Sequence, residues 1–129
     1  MSPYYDRSNL QRIPDLMKLT PQVSSSFLSF ERDVFQASSH IPEKTKELIA
    51  IAVAHVTGCP YCIDVHVKKF RALGGTPEEM VEAVTVAAST RAGAILSHAT
   101  HALIAYEEKP DPKAAPAGPA ASSGPDCFC

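Results

Sequence analysis

The break Gly58-Cys59-Pro60 constrains the fold of this chain more than any other feature. Upstream, Glu47 leads a strictly apolar run, Leu48-Ile49-Ala50-Ile51-Ala52-Val53-Ala54, which reads as a helix buried on most faces. Thr57-Gly58 ends that helix, because glycine takes the left-handed conformation that closes a helical turn. Pro60 starts the next one, since its fixed φ and missing N–H suit the first helical position. A fold-back at Gly58 sets the two helices into a hairpin. At 1.5 Å rise per residue, Glu47 then lies about 15 Å down the first helix and His66 about 10 Å down the second. The two side chains meet at roughly one level. A carboxylate beside so apolar a run needs a partner. An imidazole is a partner that the carboxylate orients and makes more basic.

Two thiols flank Pro60. Cys59 falls at or near the N-cap of the second helix and Cys62 one turn inside it. Exposed N–H groups and the positive end of the helix dipole stabilise a thiolate there. His66 stands four residues beyond Cys62 on the same helix face, where it can take a proton from a thiol. Two chemistries fit these residues. In the leading one, a thiolate attacks a peroxide oxygen, and the resulting sulfenic acid condenses with its neighbour to a disulfide. The same pair can instead exchange with a partner disulfide. In the alternative, Cys59, Cys62 and His66 hold a metal or metalloid ion together with a cysteine of the carboxyl-terminal tail, Cys127 or Cys129. Structural zinc sites more often use two separated ligand pairs, which favours the redox reading. No dinucleotide or phosphate-loop fingerprint occurs, so the redox reading requires no cofactor and draws its electrons from a thiol carrier protein.

Composition narrows the partners. The chain has 129 residues, a net charge of −2 and no basic stripe, which excludes nucleic acid as an expected partner. Its longest strictly apolar run, Leu48 to Ala54, is far too short to span a membrane. Residues 1–18 lack the apolar centre of a signal peptide, and Cys-x-x-Cys in a cytoplasmic chain favours redox or metal work. We expect one domain over residues 1–108. From Lys109 onward Pro, Ala, Gly and Ser dominate, so residues 109–129 read as a disordered tail ending Asp126-Cys127-Phe128-Cys129. A tethered thiol of that tail can reach the Cys59–Cys62 pair or hold a thiophilic ion.

The rest of the chain reads as helices. Residues 1–18, broken by Pro3 and Pro14, look irregular. Thr20-Pro21 opens a helix whose Val23, Phe27, Phe30, Val34 and Phe35 form a core-facing apolar stripe. Ser38-Ser39-His40 is a loop with a solvated His40. The second helix runs from Pro42 to about Thr57, with His55 read as a structural residue. The third runs from Pro60 to about Leu73 and stops at Gly74-Gly75, with Asp64 facing water or nearby donors. Lys68, Lys69 and Arg71 form its solvated cationic end. Thr76-Pro77-Glu78-Glu79 is a capping box. The helix it opens continues or bends at Thr90-Arg91-Ala92-Gly93, and helix resumes through Glu107. His98 and His101 share a face of it, but two donors fall short of a metal site.

The pattern Glu-x11-Cys-x2-Cys-x3-His, set in an Ala-rich helical chain, resembles the alkyl hydroperoxidase D (AhpD)-like branch of the carboxymuconolactone decarboxylase family. The likeness covers roughly Leu19 to Glu107. It includes the segment from Pro42 through Ala54 before the motif and Gly74-Gly75-Thr76-Pro77-Glu78-Glu79 after it. It implies an all-α, AhpD-like helical bundle with the Cys-x-x-Cys at the N-terminus of a central helix. It also implies a homo-oligomer, trimeric or hexameric, that acts as a thiol-disulfide reductant or weak hydroperoxidase. Carried over by position, Cys62 meets the peroxide, Cys59 closes the disulfide, and His66 with Glu47 forms the proton relay. One departure is Tyr61, where the best-studied members carry a histidine between the cysteines; it bears on the thiol pKa. Decarboxylating relatives generally lack the paired cysteines. The opening Tyr4-Tyr5-Asp6 with Asn9-Leu10 is similar to a subgroup described as arsenosugar-biosynthesis-associated and peroxidase-like.

Overall fold

A computed structural model describes residues 5–37 and 39–113. The described residues are helical and contain no strand. After a 3-10 turn at Arg7–Arg12 come α1 (Ile13–Met17) and α2 (Pro21–Arg32), which runs on into a π-helical turn at Asp33–Ala37. Then follow α3 (Glu43–Thr57), α4 (Pro60–Ala72) and α5 (Pro77–Glu107). The chain divides into two compact units, Met1–Ile95 and Leu96–Cys129. No helix among the described residues is long and apolar enough to cross a membrane.

The α3–α4 hairpin is the centre of the first unit. Gly58 closes α3 at φ 70°, a left-handed conformation that costs a Cβ-bearing residue about 1–2 kcal/mol. The Cys59 N–H reaches back 3.0 Å to the Ala54 carbonyl, which ends one helix at the residue that caps the next. The interior of the hairpin is small. Glu47, Ile51 and Ala54 of α3 and Phe70 of α4 are buried. Glu47, Ile51 and Ala54 fall four and three residues apart, so they form one stripe of α3. Burying Phe70 stabilises the fold by about 2–3 kcal/mol. The turn after α4 is shaped around its ring, because Gly75 donates its N–H to the Phe70 carbonyl at 3.0 Å and has no side chain to strike the ring.

Residues 5–18 are not irregular. Asp6 caps the 3-10 turn by accepting the Ser8 N–H at 2.8 Å, and Pro14 sits within the first two positions of α1. Proline disrupts helix interiors but suits starts, so Pro14 marks an element here rather than a break. The 3-10 turn packs against α4. The π turn packs against α3, where Lys46 Nζ donates to the Val34 carbonyl at 2.6 Å. Thr20 stands at the N-cap of α2, but its hydroxyl meets Ser24 Oγ at 3.3 Å instead of capping.

The apolar stripe of α2 is not core within the single chain. Val23, Phe27, Phe30 and Val34 are exposed, and only Phe35 is half-buried. Nor is α3 buried on most faces, for Ile49, Val53 and Val56 are exposed. Periodicity identifies a face to be covered, without saying whether this chain or another covers it. The α5 helix starts at the predicted capping box. Thr76 Oγ1 accepts the Glu79 N–H at 3.2 Å, and Glu79 Oε1 accepts the Thr76 N–H at 3.1 Å. Lys44 of α3 pairs with Glu79 at 2.9 Å. The α5 helix passes Gly93 without interruption. In the second unit its Leu96, Leu103, Ile104 and Tyr106 are exposed.

Candidate active site at the cysteine pair

Cys59 is the N-cap of α4, with φ −106° and ψ 94°, and Pro60 follows at the first helical position. This places its sulfur over the first turn, where Cys59 Sγ accepts the Cys62 N–H at 3.2 Å. The two cysteines form a disulfide, with their Cα atoms 5.3 Å apart.

One turn further along α4, His66 reaches across the hairpin. Its Nδ1 lies 2.7 Å from Glu47 Oε2. Glu47 is 2% exposed and the His66 side chain 15%, so water screens this contact little. A carboxylate at Glu47 accepts only, so His66 donates to it through Nδ1; in the neutral ring with that tautomer Nε2 carries the free lone pair. Phe35, from the π turn, stacks on the imidazole with ring centroids 5.6 Å apart and planes 20° apart. Carboxylate and phenyl together fix the ring. Among the described residues, no buried side-chain polar atom lacks a hydrogen-bond partner.

Cys62 and His66 share the walls of two open cavities. One, of about 430 Å³, lies toward α3 and the π turn and is lined by Phe35, Ile41, Ala50 and Val53. The other, of about 830 Å³, is lined by Leu10 and Ile13 of the amino-terminal segment, Phe27 of α2, and Tyr61 and Val65 of α4. Both are mostly apolar, and charges act more strongly in such surroundings than in water.

The four residues singled out by sequence spacing thus lie in two adjoining pairs, Cys59 with Cys62 and His66 with Glu47. Other candidates have local roles. His55 is exposed and its Nδ1 lies 2.8 Å from the Ile51 carbonyl of its own helix. His40 is exposed in its loop. His98 and His101 stack on each other in the second unit, ring centroids 5.8 Å apart. Among the described residues, no three His, Cys, Asp or Glu side chains are grouped to hold a metal ion. Cys127 and Cys129 lie outside the described residues.

Of the two expectations for Asp64, water or nearby donors, the structure shows the second: it pairs with Lys68 one turn on at 3.1 Å and with Arg7, distant in sequence, at 2.8 Å, its side chain mostly buried. Three further contacts escaped the sequence. Asn9 donates to the Tyr61 hydroxyl at 2.7 Å, Tyr5 meets the Tyr61 ring edge-on at 5.6 Å, and Phe35 covers His66. Asn9 and Tyr61 are 52 residues apart, and no local pattern links them. The turn signal Asp6-x-Ser8 and Pro14 at a helix start are the local hints that the amino-terminal segment is ordered.

An all-helical domain with a disulfide at a helix N-cap, beside a buried carboxylate–imidazole pair, defines the class. Residues 21–105 match the carboxymuconolactone decarboxylase family, and the chain belongs to it, with an AhpD-like fold. Among curated proteins, the chain is 48% identical over 86 residues to "Uncharacterized protein 4 in cox locus" of Paracoccus denitrificans, covering 67% of this chain and 77% of that one. It is 32% identical over 63 residues to "Uncharacterized protein YdfG" of Bacillus subtilis (strain 168), covering 49% of this chain and 42% of the relative. A crystal structure of a protein from Methanobacterium thermoautotrophicum superposes with a TM-score of 0.64 at 30% identity, covering 67% of this chain and 96% of the other.

Proposed function

We propose that the chain is a thiol-dependent oxidoreductase, an AhpD-like hydroperoxidase or disulfide reductase, that cycles Cys59 and Cys62 between dithiol and disulfide. The observation that carries this reading is the Glu47–His66 contact at 2.7 Å beside a disulfide at a helix N-cap. In the peroxide reaction, His66 Nε2 takes the Cys62 thiol proton, and Glu47 steadies the imidazolium. The Cys62 sulfur attacks one peroxide oxygen, the O–O bond breaks, and the relay returns the proton to the leaving alkoxide. Products are an alcohol and a Cys62 sulfenic acid. Cys59 then attacks the oxidised sulfur, and hydroxide leaves as water with the Cys59 proton. A dithiol carrier restores both thiols by exchange. A reducing compartment such as the cytoplasm suits that cycle.

The apolar side chains left exposed on α3 and α5, and Phe30 of α2, support assembly into a homo-oligomer. For the metal-holding alternative, no observation in the described residues adds to the sequence pattern.

The test uses reduced full-length protein, a hydroperoxide or a small aromatic disulfide, and mass spectrometry of the peptide carrying Cys59 and Cys62. Wild type forms the disulfide, Cys62→Ser does not, and Cys59→Ser stops at a sulfenic acid that dimedone traps. Wild type that keeps both thiols reduced against both oxidants refutes the proposal.

A further inference from the structure

The family match begins at residue 21, yet the segment before it is fastened onto the cysteine motif itself. Two polar contacts hold it. Asn9 bonds the hydroxyl of Tyr61, the residue between Pro60 and Cys62, and Arg7 pairs with the mostly buried Asp64. Tyr5 adds an edge-on contact with the Tyr61 ring. Thus fastened, the segment turns Leu10, Ile13 and Leu16 toward the 830 Å³ cavity that has Cys62 and His66 in its wall. A neighbouring cavity of about 590 Å³ shares those three residues and Tyr61, and extends the apolar surface away from the sulfur. The first volume lies within the range typical of small-molecule sites, about 300–1,000 Å³. Its wall is mostly apolar, with Thr20, Ser24 and Glu31 among its polar members, and so favours a reactant with an apolar part over one of water's polarity such as hydrogen peroxide.

We propose that residues Arg7–Leu19, latched through Tyr61 and Asp64, form the specificity wall of the Cys62 site and select reactants that carry an apolar chain. Tyr61 is then a positioning residue: its hydroxyl holds the segment and its ring lines the cavity that Cys62 shares. The inference deepens the oxidoreductase reading and rests on it for the identity of the reaction, an apolar-tailed hydroperoxide or disulfide being the oxidant. The selectivity itself is a property of the cavity and is measured without turnover.

The experiment alkylates reduced full-length protein with N-alkyl maleimides of increasing chain length and reads modification of Cys62 by mass spectrometry. Maleimide adds across its double bond to the thiolate and needs no oxidant or reductant. The chain unfolded in denaturant gives the intrinsic ratio of long-chain to short-chain rates. Each methylene that enters an apolar wall favours binding by roughly fourfold, so hexyl over methyl is expected to exceed the intrinsic ratio by at least about tenfold. Tyr61→Phe and the double variant Arg7→Ala, Asn9→Ala are expected to bring the ratio to within about twofold of the intrinsic value, each methylene then gaining little. A wild-type ratio equal to that of the unfolded chain overturns the proposal, whether the cavity is shut or filled by a second copy of the chain. So do latch variants that fold and keep the wild-type ratio. A steep chain-length dependence in a protein inert to hydroperoxides and disulfides would sink the oxidoreductase reading and leave the wall standing.

Discussion

Replacing Glu47 by glutamine separates the charge of the carboxylate from its shape. Glu47 is 2% exposed and its Oε2 lies 2.7 Å from His66 Nδ1. Glutamine keeps one oxygen able to accept that N–H, so the ring stays in place against Phe35. The lost quantity is the attraction between the carboxylate and the imidazolium formed when His66 takes a proton. Hydrogen bonds to charged groups contribute about 1.5–3 kcal/mol. At 1.36 kcal/mol per decade, a step that passes through the imidazolium slows about 10- to 150-fold. Stability moves far less, because a neutral amide is easier to bury than a carboxylate. We expect a thermal midpoint within about 5 °C of wild type, equivalent to about 1 kcal/mol for a domain of this size. The assay is stopped-flow mixing of prereduced protein with hydroperoxide, timing disulfide formation, paired with thermal melts. A Glu47→Gln rate within twofold of wild type refutes the relay. A rate and a midpoint that collapse together would show that the carboxylate serves the fold alone.

Four further expectations concern the frame. Phe70→Ala removes the buried ring of α4 and should cost about 3–5 kcal/mol in urea unfolding; Gly75→Ala, whose Cβ would overlap that ring, should cost about 1–3 kcal/mol. Gly58→Ala forces a Cβ into φ 70° and should cost about 1–2 kcal/mol, with Gly58→Asn milder because asparagine tolerates that region. The Lys44 ammonium above all, and then the Thr76 hydrogen bonds, hold the Glu79 carboxyl below its ordinary 4.5. Its contribution to stability is therefore complete above pH 4.5 and fades as pH falls through the lowered value; Glu79→Gln should flatten that part of a pH series of unfolding curves.

The parts legible in the sequence are those that local physics decides. Gly58 and Pro60 have few conformations to choose from, so the hairpin followed, and with it the level at which Glu47 and His66 meet. Thr76 and Glu79 satisfy each other's backbone within one turn, so the start of α5 was also readable. Contacts distant in sequence were not. Tyr61 looked like a substitution bearing on thiol chemistry, and its contacts with Asn9 and Tyr5 make it an anchor as well. Asp64 reads as facing water or nearby donors; Lys68 is such a donor, but Arg7, far off in the chain, is one that no local pattern shows. The aromatics of α2 carried the right period, but a period reports only that a face is apolar. Phe35 departs from its helix through the π turn, which no spacing rule foretells, and so comes to rest on the imidazole.

Glu47 and His66 stand 19 residues apart, on the two arms of one hairpin. Closing so short a loop loses little chain entropy, so their meeting can occur early in folding and without help from the termini. The Glu47–His66 contact thereby belongs to the hairpin, whereas the proposed specificity wall belongs to the segment before α2. On the proposed reading, choice of reactant and acid–base chemistry reside in separate stretches of chain, and each can change without the other.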